Sequence, residues 1–141
     1  MNSHSRILWS DELSVKVGSI DDQHKRIFDV INRFIKEETL ETRSLRFAEL
    51  LSELTDYSIE HFRDEEKYMA DQGFPGIKEH RAAHKLYIKK VAFFNHLYDD
   101  VNPTRPEDVS DFLKEWWINH IMLLDMEYKK FVDNRNNGRQ G

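Results

Sequence analysis

Apolar residues recur at intervals of three and four positions along four separate stretches of the chain. This interval places the apolar side chains on one face of an α-helix and the polar side chains on the other. The pattern predicts helices over residues 21–38, 44–71, 77–98 and 107–133. Short polar connections separate these helices, which favours the all-α class and an up-down-up-down four-helix bundle.

The segments outside the four stretches lack a helical period. In residues 1–20 the apolar positions are scattered, and we expect an extended N-terminal arm that packs along the bundle. Residues 134–141 are polar and are predicted to form a disordered tail. The predicted organisation is therefore an arm (1–20), one bundle domain (21–133) and a tail (134–141).

Histidines occupy positions on the apolar stripes where hydrophobic residues would be expected. Every predicted helix contributes at least one: His24, His61, His80 with His84, and His120. Burying such groups is costly unless they are paired or bound to a metal. A hydrogen-bonded core histidine is the alternative for each one alone, but their recurrence on all four inward faces favours a shared site.

The spacing of histidines and acidic residues along the helices strengthens this interpretation. Two pairs of candidate ligands are four residues apart, which places each pair one turn apart on one helix face. They are His61 with Glu65 and His80 with His84. Asp125 follows His120 by five residues, about 140° around an ideal helix. It suits a ligand that bridges sideways to a second ion or a locally wider helix, and a surface aspartate is the alternative. Glu66 lies on a neighbouring face and is predicted to be a solvated charge.

Composition and charge narrow the chemistry. The chain has 141 residues, enough for one domain, and a net charge of −5, which argues against nucleic-acid and anionic-membrane binding. It contains no run of 18 apolar residues, and its first nine residues lack the core of a signal peptide, so we expect a cytoplasmic protein. The absence of cysteine excludes disulfides and thiolate ligands. Any metal must be held by imidazole and carboxylate, which favours iron, manganese or zinc.

Seven candidate ligands are too many for one ion. They are His24, His61, Glu65, His80, His84, His120 and Asp125. The mixture of nitrogen and oxygen suits two irons. If both carboxylates and one water-derived oxygen bridge, the five histidines divide as three and two, leaving one iron with an open position for a small ligand such as O₂. His4 and His96 fall outside the inward stripes and are predicted not to bind metal.

The ligand spacings and their flanking residues form a specific pattern. It comprises His24, His61-x-x-x-Glu65, His80-x-x-x-His84 and His120-x-x-x-x-Asp125, flanked by Trp9, Gly18, Met69, Asn119 and Tyr128. This pattern resembles the hemerythrin family across residues 7–132. The resemblance implies a di-iron centre with an oxo or hydroxo bridge that binds O₂ reversibly. It also implies which residues hold each iron: His80, His84 and His120 the closed one, His24 and His61 the open one, with Glu65 and Asp125 bridging.

Four aromatic residues beside the ligands are candidates for a dry O₂ pocket: Phe62, Trp116, Trp117 and Tyr128. Ordinary packing in the bundle core is the alternative for each of them. Trp117 departs from the resemblance, since leucine is common in the family at the position three before the last histidine. A larger ring there is expected to narrow the open position.

The resemblance implies a monomeric, non-enzymatic protein for oxygen carriage, storage or delivery, whose partner is O₂ or a small ligand such as azide or NO. One alternative is a sensor domain that signals O₂ or redox state to a partner. A di-iron oxidase, peroxidase or NO-handling enzyme is another, although oxygen-activating di-iron bundles use more carboxylates. The remaining alternative is a metal-free bundle.

Overall fold

The computed structural model describes residues 6–36, 45–96 and 105–140. Within these ranges a short 3₁₀ turn, Asp11–Leu13, precedes the helices of the bundle. The helices are α1 (Gly18–Lys36), α2 (Leu45–Gln72), α3 (Ile77–His96), α4 (Pro106–His120) and α5 (Met126–Gln140). A π-helical turn, Ile121–Asp125, joins α4 to α5 with right-handed helical dihedral angles at both junctions. Because α4, the turn and α5 form one continuous helix, the predicted all-α four-helix bundle is confirmed.

The helix ends differ from the prediction in two places. The first helix begins at Gly18, three residues earlier than expected, and the last continues through Gln140, where the sequence predicts a disordered tail. The guanidinium of Arg135 explains the second difference, because its Nη1 donates a hydrogen bond of 2.5 Å to the carbonyl of Gln72. This bond fastens α5 to the end of α2.

The N-terminal arm is attached to α1 by side chains of that helix. The backbone N–H of Ile7 donates to the side-chain oxygen of Asn32 at 2.8 Å, and the Asn32 amide donates back to the Ile7 carbonyl at 3.0 Å. Asp21 accepts from the Val15 N–H at 3.0 Å and from the Ser14 hydroxyl at 2.6 Å. These bonds replace the backbone pairing that an extended segment lacks.

A tight turn after α2 sets the position of α3. Gly73 has φ of 69°, a left-handed conformation that glycine adopts without steric cost. The N–H of Gly73 bonds the carbonyl of Ala70, and that of Phe74 bonds the carbonyl of Met69, which together form a Schellman cap. The chain therefore reverses within four residues, and α3 runs back along α2.

The hydrophobic core is divided into two clusters with the candidate ligands between them. The larger cluster includes Phe62 and Trp117, and the smaller one includes Met69 and Tyr128. No helix in the described ranges combines the length and the apolar character that crossing a membrane requires. The candidate ligands therefore form a buried polar layer between two apolar clusters.

Candidate metal centre

The structure brings all seven candidate ligands into one buried layer. Each has at most 4% of its surface exposed. They form two groups that share Glu65: Glu65, His80, His84 and His120 in one, and His24, His61, Glu65 and Asp125 in the other. His4 lies outside the described residues, as does the side chain of His96.

In the three-histidine group the ring nitrogens converge. The Nε2 atom of His120 lies 3.0 Å from Nε2 of His80 and 3.1 Å from Nε2 of His84. One oxygen of Glu65, Oε1, lies 3.1 Å from the Nε2 atoms of both His80 and His84. Three imidazole nitrogens and a carboxylate oxygen therefore point at a common centre.

The second group contains two histidines and the other oxygen of Glu65. Its Oε2 atom lies 3.5 Å from Nε2 of His61 and 3.9 Å from Nε2 of His24. Asp125 is divided in the same way, because its Oδ2 lies 3.2 Å from Nε2 of His24 while its Oδ1 lies 2.9 Å from Nε2 of His80. Each carboxylate thus has one oxygen directed at each group.

The π-helical turn explains how Asp125 reaches this layer. The Met126 N–H bonds the Ile121 carbonyl, the i→i−5 bond of a π-helix. A wider turn returns the fifth residue to the face of the first, so Asp125 and His120 share one face, with Oδ1 of Asp125 3.2 Å from Nε2 of His120. The sequence left open whether Asp125 bridges sideways, lies on a locally wider helix or is a surface residue, and the structure has the wider helix. The surface alternative is wrong because Asp125 is fully buried.

The electrostatic environment of the buried layer keeps its two carboxylates ionised. Burial by itself raises the pKa of Glu65, but His61 and the other imidazoles around it hold that pKa well below its ordinary value. The pKa of Asp125 is also lowered, since His120 and His24 outweigh its burial and the repulsion from Glu65. Burial lowers the pKa of His80, yet its contacts with Asp125 and Glu65 raise it to about 9. Two carboxylates therefore remain charged in a layer that excludes water.

The donor set fits a pair of metal ions. Among the described residues, both ring nitrogens of His24, Nε2 of His61 and both oxygens of Asp125 are buried, and their close contacts lack hydrogen-bond geometry. Such groups are costly unless a partner is supplied. Nitrogens 3.0 to 3.1 Å apart also match an edge of about 3 Å around an ion with metal–nitrogen bonds of about 2.1 Å. Two cations would satisfy the lone pairs that the protein leaves unmatched.

The far sides of two histidines are held by polar side chains. Nδ1–H of His61 donates to Oε1 of Gln23 at 2.8 Å, and Nδ1–H of His84 donates to Oε2 of Glu66 at 2.8 Å. These bonds select the tautomer in which Nε2 faces the centre. The prediction that Glu66 is a solvated charge is therefore wrong. Its position immediately after Glu65 is a weak signal, because contact with α3 appears only when the two helices pack.

Tyr128 approaches the layer from the smaller core cluster. Its hydroxyl donates to Oε2 of Glu65 at 2.9 Å, and its ring centroid lies 5.7 Å from that of His80. Trp116 lies on the other side, stacked on His120 with centroids 4.4 Å apart and planes 11° apart. Tyr128 and Trp116 therefore both contact the three-histidine group, and neither lies beside the two-histidine group alone.

Phe62 and Trp117 lie beside the two-histidine group. The centroid of Trp117 is 5.8 Å from that of His61 and 6.2 Å from that of His24. Phe62 is 5.8 Å from His61, and it also stacks on His84 with centroids 3.8 Å apart. The larger ring expected at position 117 therefore covers the two-histidine side of the layer.

A buried hydrogen-bond chain holds the Trp117 ring in place. Its indole N–H donates to the hydroxyl of Tyr87 at 3.1 Å, and that oxygen lies 3.2 Å from the hydroxyl of Ser58. Burial raises the pKa of Tyr87 to about 12, although the bonds to Ser58 and Trp117 oppose the shift. Tyr87 consequently stays neutral, and the indole ring is fixed at its polar edge.

The chain is similar to proteins of one family. The family described as the hemerythrin HHE cation binding domain matches residues 15–132. The chain is 32% identical over 126 residues to a bacteriohemerythrin of Stenotrophomonas maltophilia, covering 86% of this chain and 78% of that protein. It is 30% identical to a myohemerythrin of Riftia pachyptila, covering 89% and 92%. The crystal structure of a wild-type hemerythrin superimposes with a TM-score of 0.78 at 28% identity, covering 89% and 97%.

Proposed function

The chain belongs to the hemerythrin family, and we propose that it binds O₂ reversibly at a non-haem di-iron centre, for oxygen carriage, storage or delivery. One observation carries the proposal: Glu65 and Asp125 each direct one oxygen at the three-histidine group and one at the two-histidine group. Two carboxylates shared in this manner suit two ions and not one. The proposal retains the cytoplasmic location and the monomeric state expected from the sequence.

The unequal division of the histidines supports an open coordination position. We assign three histidines to one iron and two to the other: His80, His84 and His120, and His24 and His61, with Glu65 and Asp125 bridging. With the bridges equal on both sides, the iron held by two histidines has one ligand fewer. When bound, two Fe(II) ions supply the two electrons that O₂ accepts on binding.

The residues around the ligands hold the centre in shape. Gln23 and Glu66 orient His61 and His84, while Tyr128 holds Oε2 of Glu65, the oxygen nearer the two-histidine group. Outer partners of this kind fix ring orientation and raise ligand basicity. We propose that they keep His61, His84 and Glu65 in position when O₂ enters and leaves.

Phe62 and Trp117 form the apolar wall of the proposed O₂ pocket. Both are buried, and both lie beside His61. An apolar wall excludes water and anions from the open position, which favours release of intact O₂ over irreversible oxidation. Trp116 and Tyr128, also considered for this pocket, are instead proposed to pack against the three-histidine side and against Glu65.

The ligand types favour a binding protein over an oxidase. The layer contains five imidazoles and two carboxylates, whereas di-iron bundles that activate O₂ carry more carboxylates. Anionic oxygen ligands stabilise high oxidation states of iron, so a histidine-rich set supports a milder redox cycle. We therefore propose a non-enzymatic role for this centre.

Anaerobic reduction followed by an O₂ titration tests the proposal. We expect two irons per chain, and a visible absorption band that appears as one O₂ is taken up per two irons and disappears on deoxygenation. Protein loaded with zinc is the control and should show no band. Irreversible bleaching with consumption of a reductant would favour an enzyme, and binding of a single zinc without iron would contradict the metal assignment.

A further inference from the structure

A groove of about 700 Å³ runs between α2 and α3 on the outside of the bundle, and we call it the α2–α3 groove. Apolar side chains contribute to it: Ile59, which is 49% exposed, the half-buried Ile88, and Phe62. His84 also lines the groove. A proposed iron ligand and the ring stacked on it thus lie at the base of a surface depression.

Basic side chains surround this apolar base. They are Arg63 and Lys67 on α2 and Arg81, Lys85 and Lys89 on α3, and each set repeats every four residues along one helix face. The concentration of positive charge contrasts with the net charge of −5 of the chain. A surface of this kind attracts an acidic partner, whereas two copies of the groove placed face to face would repel each other.

Two of these cations are free to meet a partner. Lys67 pairs with Asp71 at 2.8 Å, Arg81 with Glu66 at 3.2 Å, and Arg63 with Asp64 at 3.8 Å. Lys85 and Lys89 are exposed and form no ion pair within the described part of the chain. They therefore carry the charge that a docking partner would neutralise.

The groove is joined to the buried layer by two direct contacts. Glu66, in the groove, accepts the Nδ1–H of His84 at 2.8 Å. Phe62 stacks on the same imidazole with centroids 3.8 Å apart and planes 9° apart. A molecule seated in the groove would therefore contact Phe62 and approach the edge of His84, a proposed ligand of the three-histidine group.

We propose that the α2–α3 groove docks an acidic electron-transfer protein that reduces the oxidised iron pair. The inference rests on the proposed function, because an O₂-binding centre that loses its electrons stays inactive until they are returned. If the layer holds two irons, two donor molecules would each give up one electron, both Fe(III) ions would be reduced to Fe(II), and one proton would be taken up from solvent. A small apolar centre ringed by charge suits such short-lived encounters, whose interfaces bury less than about 1,200 Å².

The test compares two electron donors on variants of the full chain. The probes are a reduced plant-type [2Fe–2S] ferredoxin, which is an acidic protein, and reduced methyl viologen, which is a cation. In the double variant Lys85→Glu with Lys89→Glu, we expect reduction of the oxidised iron-loaded protein by ferredoxin to slow at least about tenfold at low salt. High salt should remove most of the difference, since screening weakens steering.

Two controls separate docking from damage. Reduction by methyl viologen should not slow in the double variant, because reversing these charges attracts a cationic donor. The variant Lys129→Glu with Lys130→Glu makes the same charge change on α5, outside the groove, and should retain the ferredoxin rate. Loss of rate with both donors, or equal ferredoxin rates in all three proteins, would overturn the proposal.

Binding supplies a readout independent of electron transfer. Calorimetric titration of the iron-loaded protein with oxidised ferredoxin should give a salt-sensitive complex that the Lys85→Glu and Lys89→Glu changes weaken. Absence of this complex, or a self-association of the chain that those changes abolish, would overturn the proposal. The O₂ titration after chemical reduction should be unchanged in the variant. Failure of that titration in the unmodified protein would instead contradict the proposed function.

Discussion

At the scale of single residues, the buried layer depends on atoms that face away from it. His84 has Nε2 among the converging ligand atoms and Nδ1 bonded to Glu66, so one carboxylate decides which nitrogen carries the proton. His61 is held in the same manner by Gln23. Because the rings are buried, water cannot substitute for these partners.

The substitution Glu66→Gln tests this orienting role. The amide offers a weaker acceptor to His84, and we expect the iron affinity to fall by about 10- to 100-fold. Competition with a coloured chelator measures the change, and Glu60→Gln, an exposed site on the same helix, is the matched control. Equal chelator competition by the two variants would show that Glu66 does not support the centre.

Trp117 is larger than the leucine that is common at this position in the hemerythrin family. Replacing it with leucine opens a cavity beside His61 and leaves Tyr87 without its indole donor. We expect the free energy of unfolding to fall by about 2 to 4 kcal/mol. The iron-loaded variant should also bind azide more tightly and lose its O₂ band faster, because the widened pocket admits anions and water. Spectroscopic titration and decay measure both effects.

The variant Trp116→Leu provides the comparison for that experiment. Trp116 stacks on His120, on the three-histidine side, and is half-buried. Its loss should alter azide affinity and band lifetime less than the loss of Trp117. A larger effect at position 116 would place the open coordination position on the other iron.

At the scale of helices, sequence periodicity predicts the four-helix bundle but does not predict local departures from α-helical geometry. The bundle and its five inward histidines follow from stripes of apolar residues, because an α-helix repeats every 3.6 residues. Asp125 could not be assigned in this way, since the π-helical turn that aligns it with His120 breaks that repeat. Periodicity also gives no signal for the contacts of Glu66 and Arg135, because each acts through a contact with another helix.

The helical continuation after Asp125 gives a prediction at this scale. Arg135→Ala removes two hydrogen bonds to Gln72, one to its carbonyl and one to its side chain, and we expect the last two turns of α5 to open more easily, by about 1 to 3 kcal/mol. Hydrogen exchange should become faster after residue 132 and remain unchanged in α2. Lys130→Ala is the control, and equal protection in both variants would show that Arg135 does not fasten the helix.

At the scale of the whole molecule, a polar layer divides the core, and in metal-free protein the contacts between its imidazoles and carboxylates make the stability depend on pH. Because the folded pKa of His80 is raised from 6.5 to about 9, its protonation stabilises the fold fully below pH 6.5, and this contribution is lost as pH rises through about 9. The lowered pKa values of Glu65 and Asp125 have the opposite effect, since their contribution is lost as pH falls below about 4.

Urea unfolding of metal-free protein across pH checks both signs. We expect stability to fall below about pH 4 through the carboxylates, and a loss of about 3 kcal/mol from His80 between pH 6.5 and 9. Iron-loaded protein is the control, because a ligand imidazole is already neutral and should give no alkaline loss. A flat profile between pH 6.5 and 9 in the metal-free protein would contradict this account of His80.

We propose that one buried layer of the bundle holds two irons with unequal histidine sets. The most direct measurement is anomalous diffraction at the iron edge from crystals of the reduced protein, before and after exposure to O₂. We predict two iron peaks, one beside His80, His84 and His120 and one beside His24 and His61, with new density after exposure only at the second. A single peak, or O₂ density beside the three-histidine group, would contradict the account.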